Sequence, residues 1–584
     1  MSVESTASAT DTEIAPPPLK VVLCWHMHQP YYGDLAGGDY VLPWTYLHAI
    51  KDYVDMAAHL EAVDGARAVV NFAPTLLEQL VDYARQIETW EHTGTGLRDP
   101  LLRALAGPVM PTDPLTRANL IKASLRVNRD RIVKRFPAYQ RLAAIADDFC
   151  KNPDDVIYLD DQYLTDILFW YHLGWIGETV RQNDEKVRAW QEQGRRFTLS
   201  DRRALLLLIG ELVRGVIPRY RALYEAGKVE LSVTPYAHPI GPLMLDFRSG
   251  REAWPECSLP ELASYSDGEE RFRWHIEHGL EVFEEHFGHR PPGCWPAEGG
   301  ISDPVWKILE EHGFRWAATG QGVLGNTLAR AGRHDLDRGH AWLHRPYQRD
   351  GGTIRCFFRD DGLSDRIGFE YATWHADDSV GDLIHHLENI RIANRERPCT
   401  VVSIILDGEN AWEYYPDNGY WFLRGLYEKL AAHPAIELTT FNDCVHAGSA
   451  DIAPPLVAGS WVYGTFSTWV GHRDKNRAWD MLGDAKAIYD AADAAGKLDD
   501  PELRARAERQ LAICEGSDWF WWFGDDNPGN TVSDFEALYR RHLANLYSLL
   551  GAEPPEYLSH SFTFGGQSAV ATGGVMRPGR DKNA

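Results

Sequence analysis

Short apolar runs recur along most of the chain, and longer stretches with helical spacing separate them. Runs with little alternation between apolar and polar positions are expected of strands that are buried on both faces. They lie at residues 19–25, 66–72, 228–233, 293–295, 315–319, 352–358 and 400–406. Helical patterns follow many of them, at about 45–62, 268–288, 303–313, 377–395 and 418–433. This alternation predicts βαβ units and therefore an α/β fold with a parallel sheet.

The number and spacing of these units predict how the chain is organised. Six or seven units favour a closed barrel over an open sheet, and we expect the barrel to span residues 19–448. Residues 75–227 are rich in helical patterns and far exceed one crossover, so we interpret them as a helical insertion. Residues 449–562 predict an α-helical C-terminal domain that contributes to the cleft. Residues 1–18 predict a disordered N-terminal tail, and residues 563–584 a mobile C-terminal tail.

The charge balance excludes several classes of partner. The 84 Asp and Glu residues outnumber the 59 Lys and Arg residues, which gives a formal net charge of −25. A nucleic acid or an anionic membrane surface would need a basic face, so neither is an expected partner. The cysteines are scattered without a CxxC pair, and neither a secretory signal nor a membrane-spanning run is visible. These features predict a cytoplasmic protein, and they leave its oligomeric state open.

Tryptophan is frequent, with 21 copies beside 25 Tyr and 21 Phe. Most aromatic rings are expected in the core, where they bury large apolar areas. Two stretches, "WHMHQPYY" at 25–32 and "DWFWWFG" at 518–524, instead place rings beside polar side chains. This combination suits a sugar ring, because its C–H faces are apolar and its edges carry hydroxyl groups.

Residues with catalytic or binding chemistry follow most of the predicted strands. In α/β barrels, functional side chains gather at the C-terminal ends of the strands. Here those ends carry His26, His28, Gln29, His238, Glu298, Arg359 and Asp407. Trp295 and Trp412 lie close in sequence to the two carboxylates, and we expect both indoles to flank a bound sugar. We therefore expect these side chains to share one cleft.

Two kinds of chemistry compete for these groups. The HxH pattern of His26 and His28 resembles the first-strand metal ligands of amidohydrolases, with His238 and Asp407 as candidate further ligands. The chain lacks the Lys or fourth His expected after a mid-chain strand of such enzymes. The alternative is a carboxylate pair, Glu298 and Asp407, that cleaves a glycosidic bond and needs neither a metal ion nor a cofactor.

Five ordered segments carry a more specific signal. They read "HMHQPYY", "GKVELSVTPYAHPIGPL", "GCWPAEGGIS", "SIILDGENAWEYY" and "GSWVYGTFSTWVGHRDKNRAW". They resemble the signature regions of glycoside hydrolase family 57. The segments "FFRDDGLSDRIGFEYATW" and "GSDWFWWFGDDN" are also similar to amylopullulanase and α-amylase members of that family. The resemblance implies a (β/α)7 barrel, a helical C-terminal region and a retaining mechanism on α-glucans.

The resemblance also implies roles for individual residues. By motif position, Glu298 is the nucleophile and Asp407 the general acid/base. Residues of the other regions are expected to bind the α-glucan: His26, His28, Gln29, His238, Trp295, Arg359, Trp412, Trp461, Trp469 and Asp518. We expect the rings of His26 and His28 to diverge, with His28 contacting the sugar at the cleavage site and His26 more structural.

The type of reaction is the least determined part of the prediction. "WPAEG" resembles the amylopullulanase-like form of the third region, which favours hydrolysis. Glucanotransferases and branching enzymes of the same family are the main alternative. A glucan-binding protein without catalysis is a remoter alternative, because both carboxylates stand in their motifs. The preference for α-1,4 or α-1,6 bonds is left open.

Overall fold

The centre of the molecule is a closed barrel of seven parallel strands. The computed structural model describes residues 18–333, 342–397 and 399–566. We number the barrel strands β1 to β7 in chain order: Leu19–Met27, Ala68–Phe72, Val229–Val233, Gly293–Cys294, Trp316–Gly320, Arg355–Arg359 and Val401–Asp407. Strands β2, β3 and β5 are buried along their whole length, as the unbroken apolar runs predict. The predicted (β/α)7 barrel is confirmed.

The strand register determines which site residues lie side by side at the ends of neighbouring strands. Each strand pairs in parallel with the next, and β7 pairs with both β6 and β1, which closes the ring. The register of β7 on β1 places Asp407 opposite His26. Strand β4 is short because Trp-Pro follows Cys294, and proline has no amide hydrogen to donate to a neighbouring strand.

Helices surround the barrel, between successive strands and after the last one. They comprise Trp44–His48, Val54–Ala62, Pro74–Thr93, Gly241–Leu245, Gly250–Ala253, Gly268–Phe287, Asp303–Glu311, Gln321–Arg330, Asp361–Asp365, Ala376–Ala393, Tyr420–Ala431 and Phe441–Ala447. Three short strands extend the sheet outside the ring, at Tyr347–Gln348, Ile436–Leu438 and Asp451–Ile452.

The chain between β2 and β3 is almost entirely helical. Beyond the helix that follows β2, its α-helices are Pro100–Ala106, Pro114–Ala123, Pro137–Phe149, Asp161–Trp175, Glu178–Asn183, Glu185–Gln193 and Leu199–Glu225. Sequence signals explain several starts, since proline is favoured at the first helical position and aspartate before it. Asp99, for example, accepts hydrogen bonds from the amides of Leu101 and Leu102.

The last part of the chain adds four α-helices that pack against the barrel. These are Arg473–Ala494, Pro501–Cys514, Ser517–Trp522 and Gly529–Leu549. The amide of Ser517 donates to the carbonyl of His238, which ties the third of them to the end of β3. Within the described residues, no helix is long and apolar enough to cross a membrane.

The two predicted tails lie largely outside the described residues. Of residues 1–18 the structure describes only residue 18, and of residues 563–584 it describes only 563–566. Within 563–566, Thr563 is buried and Gly566 pairs with Pro528, whereas the side chain of Phe564 is exposed.

Candidate active site

A large cavity opens at the C-terminal rim of the barrel. It has a volume of about 1230 Å³ and is lined by Glu298 after β4 and by Asp407 at the end of β7. His26, His28 and Arg359 from the other strand ends line the same cavity. The structure therefore brings the two predicted carboxylates into one cleft.

Glu298 sits in a tight turn that the sequence around it makes possible. The turn Ala297–Gly299 follows Pro296, and Glu298 itself adopts a left-handed conformation with φ 57° and ψ 23°. Such a conformation is uncommon for a residue with a side chain and often marks a functional site. Gly299 is also left-handed, at φ 62°. The turn lifts the carboxylate into the cavity, where 14% of the side chain is exposed.

A distant segment holds Glu298 in place. Ile301 and Gly459 exchange backbone hydrogen bonds, which docks the fifth signature segment against the turn. Trp461 then binds Glu298 twice: its amide donates to the Glu298 carbonyl at 3.0 Å, and its indole Nε1 donates to Oε2 at 2.7 Å. The indole lies between the ring of Trp295, at 5.2 Å, and the guanidinium of Arg359, at 5.3 Å. One carboxylate oxygen is thus fixed, and Oε1 is left for chemistry.

Asp407 is positioned by close packing behind it. It ends β7, and the next residue, Gly408, packs so tightly that an added Cβ would lie 2.1 Å from the sulfur of Met27. Only glycine fits there without displacing its neighbour. Asn410 lies in the turn that follows, and its Nδ2 donates a hydrogen bond to Asp407 Oδ2 at 2.8 Å.

Burial and mutual repulsion govern the ionisation of the two acids. Burial, and then the Asp407 carboxylate, raise the pKa of Glu298 well above its usual range, while the indole N–H of Trp461 opposes this. Burial raises the pKa of Asp407 to about 6, and the amide of Asn410 opposes that rise. Acids this strongly coupled titrate as a pair. Both acids therefore keep their protons to higher pH than free carboxylic acids do, and the hydrogen bond from the Trp461 indole favours the ionised form of Glu298.

Three imidazoles form a stack on one side of the carboxylates. The rings of His26 and His28 lie 5.4 Å apart and nearly parallel, and His238 stacks on His28 at 3.8 Å. The expected divergence of His26 and His28 is wrong, because residues two apart in a strand share a face. Burial lowers the pKa of His26 to about 3 and also lowers that of His238, so both rings are neutral at pH 7.

Hydrogen bonds fix the orientation of the two inner imidazoles. His26 Nδ1 shares a hydrogen bond with Asn71 Oδ1 at 2.7 Å, and its Nε2 shares another with His238 Nε2 at 3.0 Å. The chain continues from His238 Nδ1 to the hydroxyl of Ser517 at 2.8 Å. His238 Nδ1 also lies 4.0 Å from Glu298 Oε1. A continuous polar chain thus runs from β2 through β1 and β3 to the C-terminal helices.

The same three imidazoles can be tested against a metal site. Their ring nitrogens lie within 4.8 Å of one another, a spacing that an ion could bridge. An imidazole binds a metal through a lone pair in the plane of its ring, so the stacked rings of His28 and His238 cannot both point at one ion. The facing nitrogens of His26 and His238 lie at a hydrogen-bond distance. The geometry fits a hydrogen-bonded stack better than a metal centre.

Several other predicted binding residues also reach the cavity. His28 Nε2 contacts both carboxylate oxygens of Asp518 at 2.9 Å, which joins the first strand end to the helix Ser517–Trp522. Gln29 Nε2 donates to Glu409 at 3.2 Å.

Arg359 forms ion pairs with Asp361 and Asp365 at 2.8 Å, and the guanidinium still faces Trp461. All four predicted residues, His28, Gln29, Arg359 and Asp518, line the cavity.

Three of the predicted tryptophans do not line the cavity. Trp295, Trp412 and Trp469 are completely or almost completely buried and lie outside the cavity lining. Trp412 packs on Trp25 and donates its indole N–H to the carbonyl of Gly408, and Trp469 packs on Trp521. Their sequence neighbours face the cleft, so these rings form its supporting layer and do not flank a sugar as expected.

Sequence reasoning missed several residues of the site. Trp521, Trp522 and Tyr414 line the cavity, while Asn71 and Ser517 hold the histidine stack from behind. The two tryptophans belong to the aromatic run "DWFWWFG", which was expected to suit a sugar ring, but neither was among the predicted binding residues. Asn71 lies inside a buried strand and carries no sequence signal of its own.

Comparison with known proteins places the chain in a family. The sequence model of glycosyl hydrolase family 57 matches residues 22–454. The chain belongs to glycosyl hydrolase family 57. The match ends two residues after the short strand Asp451–Ile452, so the C-terminal helices, including the helix Ser517–Trp522 that carries Asp518, lie beyond it. A comparison with curated protein sequences found no match.

Solved structures share this family 57 fold. The chain is similar to a GH57 branching enzyme from Thermococcus kodakaraensis, with TM-score 0.56, 15% identity, and coverage of 91% of this chain and 90% of that one. It is also similar to the α-amylase AmyC from Thermotoga maritima, with TM-score 0.54, 14% identity and coverage of 91% and 93%. A branching enzyme from Pyrococcus horikoshii gives TM-score 0.52 and 15% identity, with coverage of 96% and 99%.

Proposed function

We propose that this family 57 protein cleaves α-glucans with retention of configuration, using Glu298 as nucleophile and Asp407 as general acid/base. The observation that carries the proposal is the arrangement of the pair in one cavity. Trp461 binds one oxygen of Glu298 and leaves the other open, while Asp407 shares the cavity, where burial favours its protonated form. The sequence motifs support α-glucan as the substrate class.

The proposed reaction has two steps. In the first, Glu298 Oε1 forms a bond to the anomeric carbon as the bond to the glycosidic oxygen breaks, and Asp407 gives its proton to that oxygen. In the second, Asp407 takes a proton from water, and the water oxygen replaces Glu298 on the anomeric carbon. The indole N–H of Trp461 stabilises the charge on Glu298 before attack and as the carboxylate leaves.

We infer hydrolysis as the main reaction, on the amylopullulanase-like form of the segment around Glu298. Transfer is the second candidate, because a cavity of about 1230 Å³ has room for an acceptor sugar in place of water. The two reactions share the first step and differ only in which hydroxyl gives its proton to Asp407.

Product analysis tests this proposal. The purified protein is incubated with amylose, pullulan and amylopectin, and reducing ends and branch content are followed together. Hydrolysis predicts that reducing ends increase, whereas transfer predicts a changed chain-length or branch distribution at nearly constant reducing ends. Glu298→Gln and Asp407→Asn should each lower the rate by orders of magnitude without changing the melting temperature much. Near-normal activity of either folded variant would overturn the assignment.

A further inference from the structure

A third carboxyl group lines the cavity, and the proposed reaction gives it no part. Glu409 follows Asp407 by two residues, lines the same cavity and is only 2% exposed. Its Oε1 accepts a hydrogen bond from Gln29 Nε2 at 3.2 Å. Its Oε2 is buried and has no hydrogen-bond partner in the part of the chain that the structure describes. A buried oxygen of this kind is costly, so its place beside the general acid/base calls for a functional explanation.

We propose that Glu409 is a positioning residue of the general acid/base, which stays protonated and stabilises the Asp407 carboxylate through a hydrogen bond from its Oε2–H. This inference rests on the proposed function. The proton of Glu409 is not transferred, and Glu409 forms no bond to the sugar. Its contribution falls between the two steps, when Asp407 has given its proton to the leaving oxygen and carries a negative charge.

The hydrogen-bond partners of Glu409 suit a neutral acid. A buried carboxylate that is ionised needs a cation or several N–H donors around it. Glu515 has such a set. Its carboxylate accepts hydrogen bonds from Arg271, Tyr265 and His275. Within the described residues, the carboxyl group of Glu409 accepts only from one neutral carboxamide. This contrast favours a proton on Glu409.

The cation that acts on Glu409 is already bound to another acid. Lys51 donates to Asp52 at 2.6 Å and to Asn418 at 3.0 Å, and His48 contacts Asp52 at 2.7 Å. Asp52 is completely buried, so its two partners hold the negative charge of this group on its carboxylate. An ionised Glu409 would therefore face a second buried carboxylate without a cation of its own.

The charges around Glu409 act in the same direction. Burial, and then the carboxylates of Asp407 and Asp52, raise the pKa of Glu409 well above its usual range, while Gln29 and Lys51 oppose the rise.

Two tyrosines also interact with Glu409, and neither adds a charge. Burial raises the pKa values of the Tyr32 and Tyr53 hydroxyls well above their usual range, so both stay neutral.

Hydrogen bonds determine which oxygen of Glu409 donates. The hydroxyl of Tyr32 donates to Gln29 Oε1 at 2.9 Å, so the amide nitrogen of Gln29 faces Glu409. That nitrogen occupies Oε1, which leaves the acid proton on Oε2. On Asp407, Asn410 occupies Oδ2, and no described side chain donates to Oδ1. Glu409 thus offers a donor, and Asp407 an acceptor, within one turn at the end of β7.

Infrared spectroscopy tests the protonation of Glu409 without turnover. Wild type and Glu409→Gln are compared at pH 7. The variant should lose one band of a protonated carboxyl group, while its carboxamide keeps the hydrogen bond from Gln29. Glu536→Gln is the control, because Glu536 is 1% exposed but paired with Arg540 at 2.6 Å, and its replacement should remove no such band. An unchanged set of bands in Glu409→Gln would show that Glu409 is ionised and would overturn the inference.

Titration of Asp407 tests the role of the donor. In Glu298→Gln, Asp407 titrates without its coupled partner, and its infrared band is assigned by its loss on further change of Asp407→Asn. Adding Glu409→Met should raise the pKa of Asp407 by about one unit or more, because the ionised form loses a hydrogen bond. Adding Glu409→Gln keeps an N–H donor and should leave the pKa of Asp407 within about half a unit.

The sign of the shift separates the alternatives. An ionised Glu409 predicts a lower pKa of Asp407 in both variants, since each removes a neighbouring negative charge. A lowered or unchanged pKa of Asp407 in Glu409→Met would overturn the inference. If Glu409→Met does not fold, Glu409→Gln still decides, because a lowered pKa there has the same meaning. A raised pKa in Glu409→Met, in a protein whose wild type cleaves no glucan, would support the donor and reject the proposed function alone.

Discussion

At the residue scale, the side chain of Glu298 is bound at one oxygen and open at the other. The indole of Trp461 donates to Oε2, and its ring is held between Trp295 and Arg359. A hydrogen bond from a donor with no charge of its own favours the ionised carboxylate without adding a cation to the cavity. This contact opposes the rise in pKa that burial and the Asp407 carboxylate impose on Glu298, and so favours the negative charge that attack on carbon requires.

Replacing this donor should change both rate and pH dependence. Trp461→Phe keeps an aromatic ring but removes the N–H, so the pKa of Glu298 should rise and the acidic limb of the kcat/KM profile should move to higher pH. The rate at the optimum should fall by about 10- to 150-fold, because a hydrogen bond to a charged group contributes about 1.5–3 kcal/mol. The measurement is kcat/KM against pH.

A matched variant serves as control for the loss of the indole. Trp421 also donates its indole N–H to a carboxylate, that of Asp417 at 3.1 Å, but on the exposed surface outside the cavity lining. Trp421→Phe should leave the profile unchanged. An acidic limb that stays in place in Trp461→Phe, with only the rate reduced, would show that the indole acts through packing alone.

The sequence predicts the residues of the site better than their contacts. Glu298, Asp407 and the strand-end histidines are predictable because a barrel strand delivers its last residues to the rim. The contact between Trp461 and Glu298 is not, because it spans 163 positions and depends on how a loop docks. Trp295 and Trp412 mislead for the same reason, since closeness in sequence to an acid does not fix which way a side chain faces.

At the element scale, the fifth signature segment has to lie directly on the end of β5. Gly320 ends that strand, and an added Cβ would lie 2.5 Å from the Cα of Trp461. Any residue can adopt the backbone conformation of Gly320, with φ −82° and ψ 154°. A larger residue is therefore excluded by the closeness of Trp461 and not by backbone strain. The fit between strand and segment therefore controls the position of the Trp461 indole.

Gly320→Ala should accordingly lower activity more than its cost in stability suggests. We expect a loss of about 1–3 kcal/mol in the free energy of unfolding, as for other overpacked sites, and a marked fall in kcat. Gly325→Ala, in the helix Gln321–Arg330 with open space around the glycine, should instead stabilise the fold by about 0.5–1 kcal/mol at unchanged activity. Chemical denaturation and kcat measured on both variants check this, and unimpaired turnover of Gly320→Ala would refute the fit.

The pattern of elements was largely predictable, and the exceptions have physical causes. The barrel strands lie at or next to the apolar runs because burial on both faces leaves a clear signal. The short strand Asp451–Ile452 carries no such signal, since it pairs at the edge of the sheet through only two residues. The closure of the barrel between β6 and β7 also leaves no signal in the sequence, because only one residue pair, Arg359 with Ser403, joins these two strands.

At the scale of the whole molecule, a buried ion pair joins the C-terminal helices to the barrel. Glu515 lies between two C-terminal helices. Its carboxylate accepts two hydrogen bonds, at 2.9 and 2.8 Å, from Arg271 on the helix Gly268–Phe287. Tyr265 and His275 complete its partners, at 2.6 and 2.8 Å. Burial alone would raise the pKa of Glu515, but Arg271 and His275 lower it well below its usual range. This interface positions Ser517 and Asp518 beside the histidine stack.

Glu515→Gln should destabilise the protein by about 3–5 kcal/mol, because it leaves the Arg271 guanidinium buried without a counter-charge. The folded-state pKa of Glu515 is depressed, so its stabilising contribution is present above the unfolded value of about 4.3 and is lost as pH falls. The difference in stability between wild type and variant should therefore narrow in acid. Glu269→Gln on the same helix breaks an exposed pair with Arg273 and should cost less than about 1 kcal/mol. Equal losses in the two variants, by chemical denaturation, would contradict this account.

The central claim is that Glu298 forms a covalent bond to the sugar and that Asp407 supplies and removes the proton. Asp407→Asn treated with α-maltosyl fluoride tests it most directly, because fluoride leaves without protonation while release of the bound sugar still needs the missing base. Mass spectrometry of the digested protein should then find a maltosyl adduct on the peptide that contains Glu298. An adduct on another residue, or complete turnover of the fluoride with inverted product and no adduct, would contradict the account.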